Sequence, residues 1–222
     1  MSRSFAKWMN KGSRGGQVYL AQMLLAARIP AFGWVGRGGV YVPGHYEDRM
    51  ASIVSVLQRL ILPSAESDGH LGQETRRGWE ADMLNAGVHP AWVFNIDEFL
   101  ISQNFPGIEE LSGPIFSQGG LVPGCSGLPV KILILMLRAG GFDRCGILDA
   151  RKDLYDSSVT NRVAALQAFL RIDVTGVFCQ NTIHRWEALS GLRFSRFTWE
   201  DLLRPTTIVY PEGHGPDEDA DE

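Results

Sequence analysis

Two segments of the chain place apolar residues at positions i, i+4, i+7 and i+11. These positions are Met50, Val54, Leu57 and Ile61 in the first segment and Val159, Val163, Leu166 and Leu170 in the second. Residues at this spacing lie on one face of an α-helix. The pattern therefore predicts two amphipathic helices, each with a single buried stripe.

The similarity between the two segments continues on both sides of these helices. Upstream, apolar residues align without a gap, and the aligned pairs are Val18 with Val130, Met23 with Leu135, Leu25 with Leu137, and Ala27 with Ala139. Downstream, a glycine is followed by threonine and then by tryptophan at the same spacing, namely Gly69, Thr75 and Trp79 in one copy and Gly176, Thr182 and Trp186 in the other. An internal repeat of this kind predicts a duplicated unit, with an opening helix, a long second helix, and a short third helix after a glycine loop.

We therefore predict an all-α protein of two tandem three-helix modules, which we expect to be two small domains joined by an ordered connector. The modules span residues 17–87 and 128–191. A unit of about 60 to 70 residues can fold alone but buries a modest core. The other segments are a flexible, glycine-rich N-terminus at 1–16, an aromatic-rich connector at 88–127, a packing extension at 192–210 and an acidic, disordered tail at 211–222.

The loop after the first of the long helices carries a recognisable motif. Leu57 and Gln58 are followed by the run SDGHLGQET at 67–75, with Trp79 beyond it. In these residues the chain resembles the peptidoglycan-binding domain family of the three-helix type. The signature of that family runs LQ, then DGxFGxxT, then an aromatic residue on the last helix.

The second copy resembles the same signature with two departures. Its loop reads DVTGVFCQNT at 173–182, so Thr175 stands where the signature has Asp and Cys179 where it has the second Gly. An Asp in such a loop often holds the turn by bonding to nearby backbone. We therefore expect a looser second loop or a changed ligand surface, and stronger binding by the first module.

The resemblance implies that the chain attaches to peptidoglycan without cleaving it. The ligand would lie in a shallow groove beside each loop, held by hydrogen bonds and by contact with an aromatic face. The candidate binding residues are Asp68, Gly69, His70, Leu71, Gly72, Thr75 and Trp79 in the first loop and Thr175, Gly176, Val177, Phe178, Asn181, Thr182 and Trp186 in the second. Two modules on one chain would strengthen weak binding, since a polymer presents repeated sites.

The same residues also have structural roles, which their types favour over ligand contact. Gly69 and Gly176 can adopt the positive φ of a tight turn. Thr75 and Thr182 can cap the third helix through their hydroxyls. The two tryptophans follow one helical turn later, where they would pack into the core.

The spacing of the reactive residues does not favour catalysis. The five histidines form no HxxE, HxH or HExxH pattern, which argues against a zinc hydrolase. Cys179 and His184 are the one thiol and imidazole pair, separated by a loop and a helix start. Carboxylates that a glycosidase could use are Glu80, Glu187, Asp97 and Glu98. The first two follow the repeated tryptophans, which is typical of a solvated helix face, and the sequence predicts no cofactor and no metal.

Charge and hydropathy limit the partners. The formal net charge is −4, and six of the twelve residues at 211–222 are acidic, so the rest of the chain is only weakly basic and does not indicate nucleic-acid binding. The longest apolar run, Val130 to Leu137, is interrupted by Lys131 and is too short to span a membrane. The basic residues 1–16 are followed by no apolar segment typical of a Sec signal.

Because peptidoglycan lies outside the cytoplasm, the route of delivery stays open. The chain could belong to a phage or contractile injection particle, be exported by a dedicated secretion apparatus, or be released by lysis. An alternative function is that of a structural or adaptor protein, in which the fold docks other protein subunits instead of the cell wall. A weaker alternative is a cell-wall hydrolase or toxin with its active site in the connector.

Overall fold

The computed structural model describes residues 9–28, 42, 44–62, 67–85, 112–116, 119–143, 148, 153–190 and 198–210. In chain order, their helices are α1 Gly16–Arg28, α2 Asp48–Ile61, α3 Gln73–Asn85, α4 Leu128–Ala139, α5 Ser157–Leu170, α6 Gln180–Ser190 and α7 Trp199–Leu202. Extended residues in these ranges pair only at isolated β-bridges, which confirms the all-α class for this part. None of the helices described has the length and apolar character needed to cross a membrane. The acidic tail and most of the connector lie outside the described residues.

Local sequence explains where α4 and α5 begin and where α5 ends. Asp156 precedes α5 and accepts hydrogen bonds from the N–H groups of Ser158 and Val159, as an N-cap residue does. Pro129 lies in the first turn of α4, where a missing N–H is harmless. α5 ends at Leu170, and the next residue, Arg171, has a φ of 56° in the left-handed region that commonly terminates helices.

The predicted stripes of α2 and α5 point into the core. Seven of the eight stripe positions are buried, and Ile61 at the end of α2 is half-buried. α2 packs against α3, and α5 packs against α4 and α6. Complete burial of one aliphatic side chain stabilises the fold by about 1.5 to 3 kcal/mol, so these stripes hold both long helices in place.

Helices α1 and α4 are buried along most of their length and pack against each other. In α4 every residue except Pro129 is buried, including Lys131 and Arg138. A helix with apolar residues on all faces needs neighbours on all faces, and α1 finds further ones in α6 and α7. The buried hydrophobic residues that the structure describes form a single cluster. The division into two small domains stays a prediction.

Residues assigned to the flexible N-terminus and to the connector are bound to the two glycine loops. Met9 and Leu71 exchange both backbone hydrogen bonds, with N to O distances of 2.9 and 3.0 Å. Leu121 and Phe178 do the same at 2.9 and 3.0 Å. This pairing uses backbone groups, so it leaves no periodic pattern of side chains in the sequence. We call the described residues within 9–85 the first half and those within 119–190 the second half.

Candidate functional site

The first glycine loop is organised by Gln58, near the end of α2. Its Nε2 lies 2.8 Å from Asp68 Oδ1, 3.0 Å from the carbonyl oxygen of His70 and 2.8 Å from Thr75 Oγ1. Its Oε1 accepts from the N–H of Gly69 at 2.8 Å. The glutamine is buried, and its amide can satisfy donors and acceptors that water does not reach.

Gln167, near the end of α5, has the same role in the second loop. Its Nε2 lies 3.1 Å from Thr175 Oγ1, 2.9 Å from the carbonyl oxygen of Val177 and 3.0 Å from Thr182 Oγ1. Its Oε1 accepts from the N–H groups of Thr175 and Gly176, both at 2.8 Å. The repeated LQ pair is the sequence signal for both glutamines, but the central position of their amides emerges only from these contacts.

Two buried tyrosines also bind the loops. The hydroxyl of Tyr46 donates to the Gly69 carbonyl at 2.7 Å, and that of Tyr155 donates to the Gly176 carbonyl at 2.7 Å. Burial raises the pKa of both phenols above the ordinary value of 10.0, although a backbone hydrogen bond opposes this effect. Both hydroxyls therefore stay protonated as donors at neutral pH. Neither tyrosine stands out in the sequence, because each precedes its helix and lies outside the signature.

The two loop glycines have the positive φ that the sequence predicts, 76° at Gly69 and 70° at Gly176. A Cβ on Gly69 would stand 2.5 Å from the carbonyl oxygen of Ala51 in α2. A Cβ on Gly176 would stand 2.6 Å from Thr160 Cγ2 in α5. Conformation and space therefore both require glycine at these positions.

Thr175 makes the loop bonds that Asp68 makes in the first half. Asp68 Oδ1 accepts from the N–H of His70 at 2.8 Å, and Thr175 Oγ1 accepts from the N–H of Val177 at 3.2 Å. Each side chain also binds the glutamine of its own loop. The second loop therefore keeps this bond, because a hydroxyl can accept from the N–H two residues ahead as a carboxylate does. The bonds of Thr175 are longer, at 3.1 and 3.2 Å against 2.8 Å for both bonds of Asp68, so a looser second loop stays a prediction. What the second loop lacks is the negative charge.

The hydroxyls of Thr75 and Thr182 donate to loop carbonyl groups. The prediction that they cap the N-termini of α3 and α6 is wrong. Each is the third residue of its helix, and they donate to the carbonyl oxygens of His70 at 3.0 Å and Val177 at 3.4 Å. Cys179 directly precedes α6. Burial raises the pKa of its thiol, but hydrogen bonds from Thr182 and the neighbouring backbone N–H groups outweigh this effect and lower it.

Burial divides the candidate residues into two groups. The buried ones are Gly69, Leu71, Gly72, Thr75, Trp79, Gly176, Phe178, Thr182 and Trp186. The exposed or partly exposed ones are Asp68, His70, Thr175, Val177 and Asn181. The core role of the two tryptophans is confirmed, and Trp186 packs edge-to-face against Phe142 and Phe178. A ligand at the loops would therefore touch side chains of the second group.

An open cleft of about 510 Å³ lies at the start of α2. Its lining residues are Lys11, Gly12, Ser13, Arg14, His45, Tyr46, Glu47, Asp48 and Arg49. Tyr46 connects the cleft to the first glycine loop through its hydrogen bond to Gly69. Lys11 Nζ and Asp48 Oδ1 form an exposed ion pair at 2.5 Å. No motif in the sequence marks this cleft, because two distant segments build it.

The equivalent positions in the second half are almost uncharged. The residues there are Pro123, Gly124, Cys125, Ser126, Leu154, Tyr155, Asp156, Ser157 and Ser158. The equivalence rests on matching backbone bonds, since the N–H of Gly12 donates to the Tyr46 carbonyl and that of Gly124 to the Tyr155 carbonyl, both at 2.9 Å. The two halves thus differ in chemistry where their backbones agree.

The candidate reactive residues are not joined in the part of the chain that the structure describes. Cys179 Sγ lies 3.6 Å from Thr182 Oγ1, whereas His184 Nε2 lies 2.6 Å from Gln180 Nε2. No group of three or more His, Cys, Asp or Glu among the described residues is placed to hold a metal ion. Outside the described positions lie Asp97, Glu98 and the side chain of Glu80.

Comparison of the chain with protein-family models, with curated proteins and with solved structures found no match. Inference about function therefore depends on the loops and the cleft.

Proposed function

We propose that the chain is a non-catalytic peptidoglycan-binding protein built from two tandem modules of the three-helix type. The observation that carries the proposal is the open, charged cleft that Tyr46 connects to the first signature loop. The matching loop contacts support the tandem arrangement. Gln58 and Gln167 each bind a glycine N–H, a loop carbonyl and a helix threonine.

The cleft suits the chemistry of a peptidoglycan strand, which carries hydroxyl and amide groups on its sugars and carboxylates on its peptides. Arg14 can bind a carboxylate through two parallel N–H groups, and Lys11 and Arg49 add further positive charge. Glu47 and Asp48 can accept hydrogen bonds from hydroxyl and amide donors. Binding in such an open cleft is weak at each site and is strengthened by the repeated sites of the polymer.

We place the stronger binding in the first half. At the positions of Arg14 and Arg49 the second half has Ser126 and Ser158, which offer no charge to a carboxylate. A wall-binding chain of this kind suits a component that anchors a phage, contractile injection or secretion particle at the cell wall. The other subunits of that particle would be its protein partners.

The proposal is tested by co-sedimentation of the purified full chain with insoluble peptidoglycan sacculi. Chitin and cellulose serve as control polymers, and the supernatants are assayed for muropeptides. We expect saturable pelleting with sacculi alone and no muropeptide release. Release would identify an enzyme. Absence of pelleting would refute wall binding and favour the adaptor that docks protein subunits.

The double variant R14S/R49S tests the cleft, since it installs the residues of the second half. We expect its apparent affinity for sacculi to fall about fivefold or more, as the loss of one net hydrogen bond would cause. The matched control is R59S/R77S, which removes two exposed arginines of α2 and α3 outside the cleft. Equal losses in both double variants would mean that total charge, and not the cleft, determines binding.

A further inference from the structure

Residues 204–209 run along residues 12–17 of the first half and pair with them. Arg14 and Thr207 exchange both backbone hydrogen bonds, at 2.9 Å from Arg14 N and at 2.7 Å from Thr207 N. Further bonds run from the Gly16 N–H to the Arg204 carbonyl and from the Val209 N–H to the Ser13 hydroxyl, both at 2.9 Å. We call residues 12–17 the covered edge.

The covered edge is shaped for close approach by another stretch of backbone. A Cβ on Gly15 would stand 2.3 Å from the carbonyl oxygen of Pro205. A Cβ on Gly16 would stand 2.1 Å from the carbonyl oxygen of Leu202. Gly15 is therefore the glycine that the paired segment itself requires, and the second half keeps it as Gly127. Leu128 stands at the position of Gly16, whose nearest contact, Leu202, lies outside residues 204–209, while the carbonyl oxygen of Arg204 would stand 3.0 Å from a Cβ there.

The second half has the equivalent segment without such a strand. The N–H groups of Gly124 and Gly127 donate to the carbonyls of Tyr155 and Asp153 at 2.9 and 2.8 Å, so one side of this segment is paired. Toward the other side, the backbone N–H and C=O of Ser126 have no hydrogen-bond partner within the described ranges. Gly124 and Ser126 are exposed, and a Cβ on Gly124 would meet no described atom within 4 Å. We call residues 124–127 the open edge.

We propose that the open edge docks an extended peptide segment of a partner protein, which pairs with Ser126 as Thr207 pairs with Arg14. An added strand takes its affinity from backbone hydrogen bonds and its specificity from alternate side chains. At Arg14 the covered edge already holds such a segment, and the open edge keeps the neighbouring glycine as Gly127. The inference is independent of peptidoglycan binding, which we place in the cleft of the first half.

The side chains near the open edge select an aliphatic segment. Val122 and Leu154 are each 45 % exposed there, and Leu154 is the bridge partner of Ser126. The first half has Asn10 and His45 at the equivalent positions, both polar. A partner segment with β-branched aliphatic residues would cover the two exposed side chains, and it needs a residue other than proline opposite Ser126.

A second copy of this chain is the poorer source of that segment. Its residues 204–209 would have to leave their own covered edge and give up the pairing with Arg14. They would also find one donor fewer, since Pro129 stands at the position of Gln17, whose N–H donates to the Thr206 hydroxyl at 3.1 Å. Exchange between copies therefore loses hydrogen bonds, whereas a separate partner segment loses none.

The test uses the full chain labelled with ¹⁵N and a synthetic peptide with the sequence of residues 204–210, Arg-Pro-Thr-Thr-Ile-Val-Tyr. We expect saturable shifts of the Ser126 amide signal and its neighbours, with the amide signals of Arg14 and Thr207 unchanged. A control peptide with proline in place of the second threonine cannot form the paired bonds and should not bind. Shifts confined to Arg14 and Thr207 would mean that the peptide only displaces the native segment, and the proposal would be wrong.

Variants at Ser126 separate backbone pairing from other contacts. S126P removes the N–H, and we expect peptide affinity to fall about fivefold or more. S126A keeps the backbone groups and should bind as the native chain does. Hydrogen exchange of the Ser126 amide provides a second measurement on the unmodified chain, because it stays valid if S126P does not fold. Slow exchange before peptide is added, or no slowing at saturating peptide, would refute the proposal.

Discussion

Gln58 and Gln167 illustrate how one buried amide can order a whole loop. Each lies at the end of a long helix and bonds to groups that follow it by about ten residues. Each glutamine bonds to backbone N–H and carbonyl groups, which are costly to bury without partners. The tyrosine hydroxyl on each glycine carbonyl completes this arrangement.

We expect Q58A and Q167A each to lower the free energy of unfolding by about 2 to 3 kcal/mol, since each leaves a buried glycine N–H without its acceptor. Urea denaturation followed by circular dichroism measures this loss. Q73A, at the more exposed start of α3, is the control and should change stability by less than about 0.5 kcal/mol. If Q58A and Q167A also lost less than about 0.5 kcal/mol, water would have taken over the hydrogen bonds of the glutamine amide.

The buried tyrosines predict a loss of stability at alkaline pH. Burial raises the pKa of Tyr46 and Tyr155 above 10.0, so above that pH the unfolded chain releases protons that the folded chain keeps. Stability is therefore full below pH 10 and falls as the pH rises beyond it, by up to about 1.4 kcal/mol per pH unit for each tyrosine.

Urea titrations from pH 8 to 11 should show a smaller alkaline loss in the Y46F/Y155F variant than in the native chain. At neutral pH that variant should lose about 1 kcal/mol for each missing hydrogen bond. Y210F, at a partly exposed position, serves as the control. Parallel curves for the native chain and Y46F/Y155F would exclude the two phenols as the cause.

At the scale of elements, each glycine loop is fitted to the long helix before it, and the two fits differ. The first loop approaches backbone at the Ala51 carbonyl, whereas the second approaches the methyl group of Thr160. Gly113 has a similar φ of 77° and no described neighbour within 4 Å of a Cβ. The three positions therefore separate the effect of conformation from that of space.

We expect G69A to destabilise the chain more than G176A, and G176A more than G113A. G113A should lose only the about 1 to 2 kcal/mol of stability that a positive φ costs a residue with a Cβ. G176A adds a contact that a rotated threonine can relieve, whereas G69A adds a clash with backbone that must shift. Urea midpoints give the order, and equal losses at all three positions would show that space around the loops plays no part.

At the scale of the whole molecule, α1 and α4 join the two halves. Their mutual packing makes one cluster of the buried residues, so neither half can unfold without exposing apolar surface of the other. Two independent domains would lack this coupling. The cleft and the open edge lie on different halves and present different chemistry on one body.

We expect the described body to unfold in one cooperative transition. Trp79 and Trp186 lie in different halves, so the fluorescence of W186F reports on the first half more strongly and that of W79F on the second. Trp-to-Phe variants at the remaining tryptophans measure how much those residues contribute to the fluorescence, so that this contribution can be subtracted. Coincident midpoints in urea would support a shared core, while two separate midpoints would show independent domains.

The sequence alone determined the all-α class, the buried stripes of α2 and α5 and the positive φ of Gly69 and Gly176. These features are local, because helical periodicity and steric freedom act over a few neighbouring residues. The burial of Trp79 and Trp186 follows from the same periodicity. The peptidoglycan-binding assignment remains a prediction from the signature.

Only the tertiary structure decided how α1 meets α4, how Tyr46 reaches Gly69, and which edge is covered. These arrangements join segments that are far apart in the chain, often through backbone groups that every residue possesses. Backbone hydrogen bonds impose no periodic choice of side chain, so no pattern in the sequence marks them in advance. The charged cleft and the open edge could therefore be found only once the chain was folded.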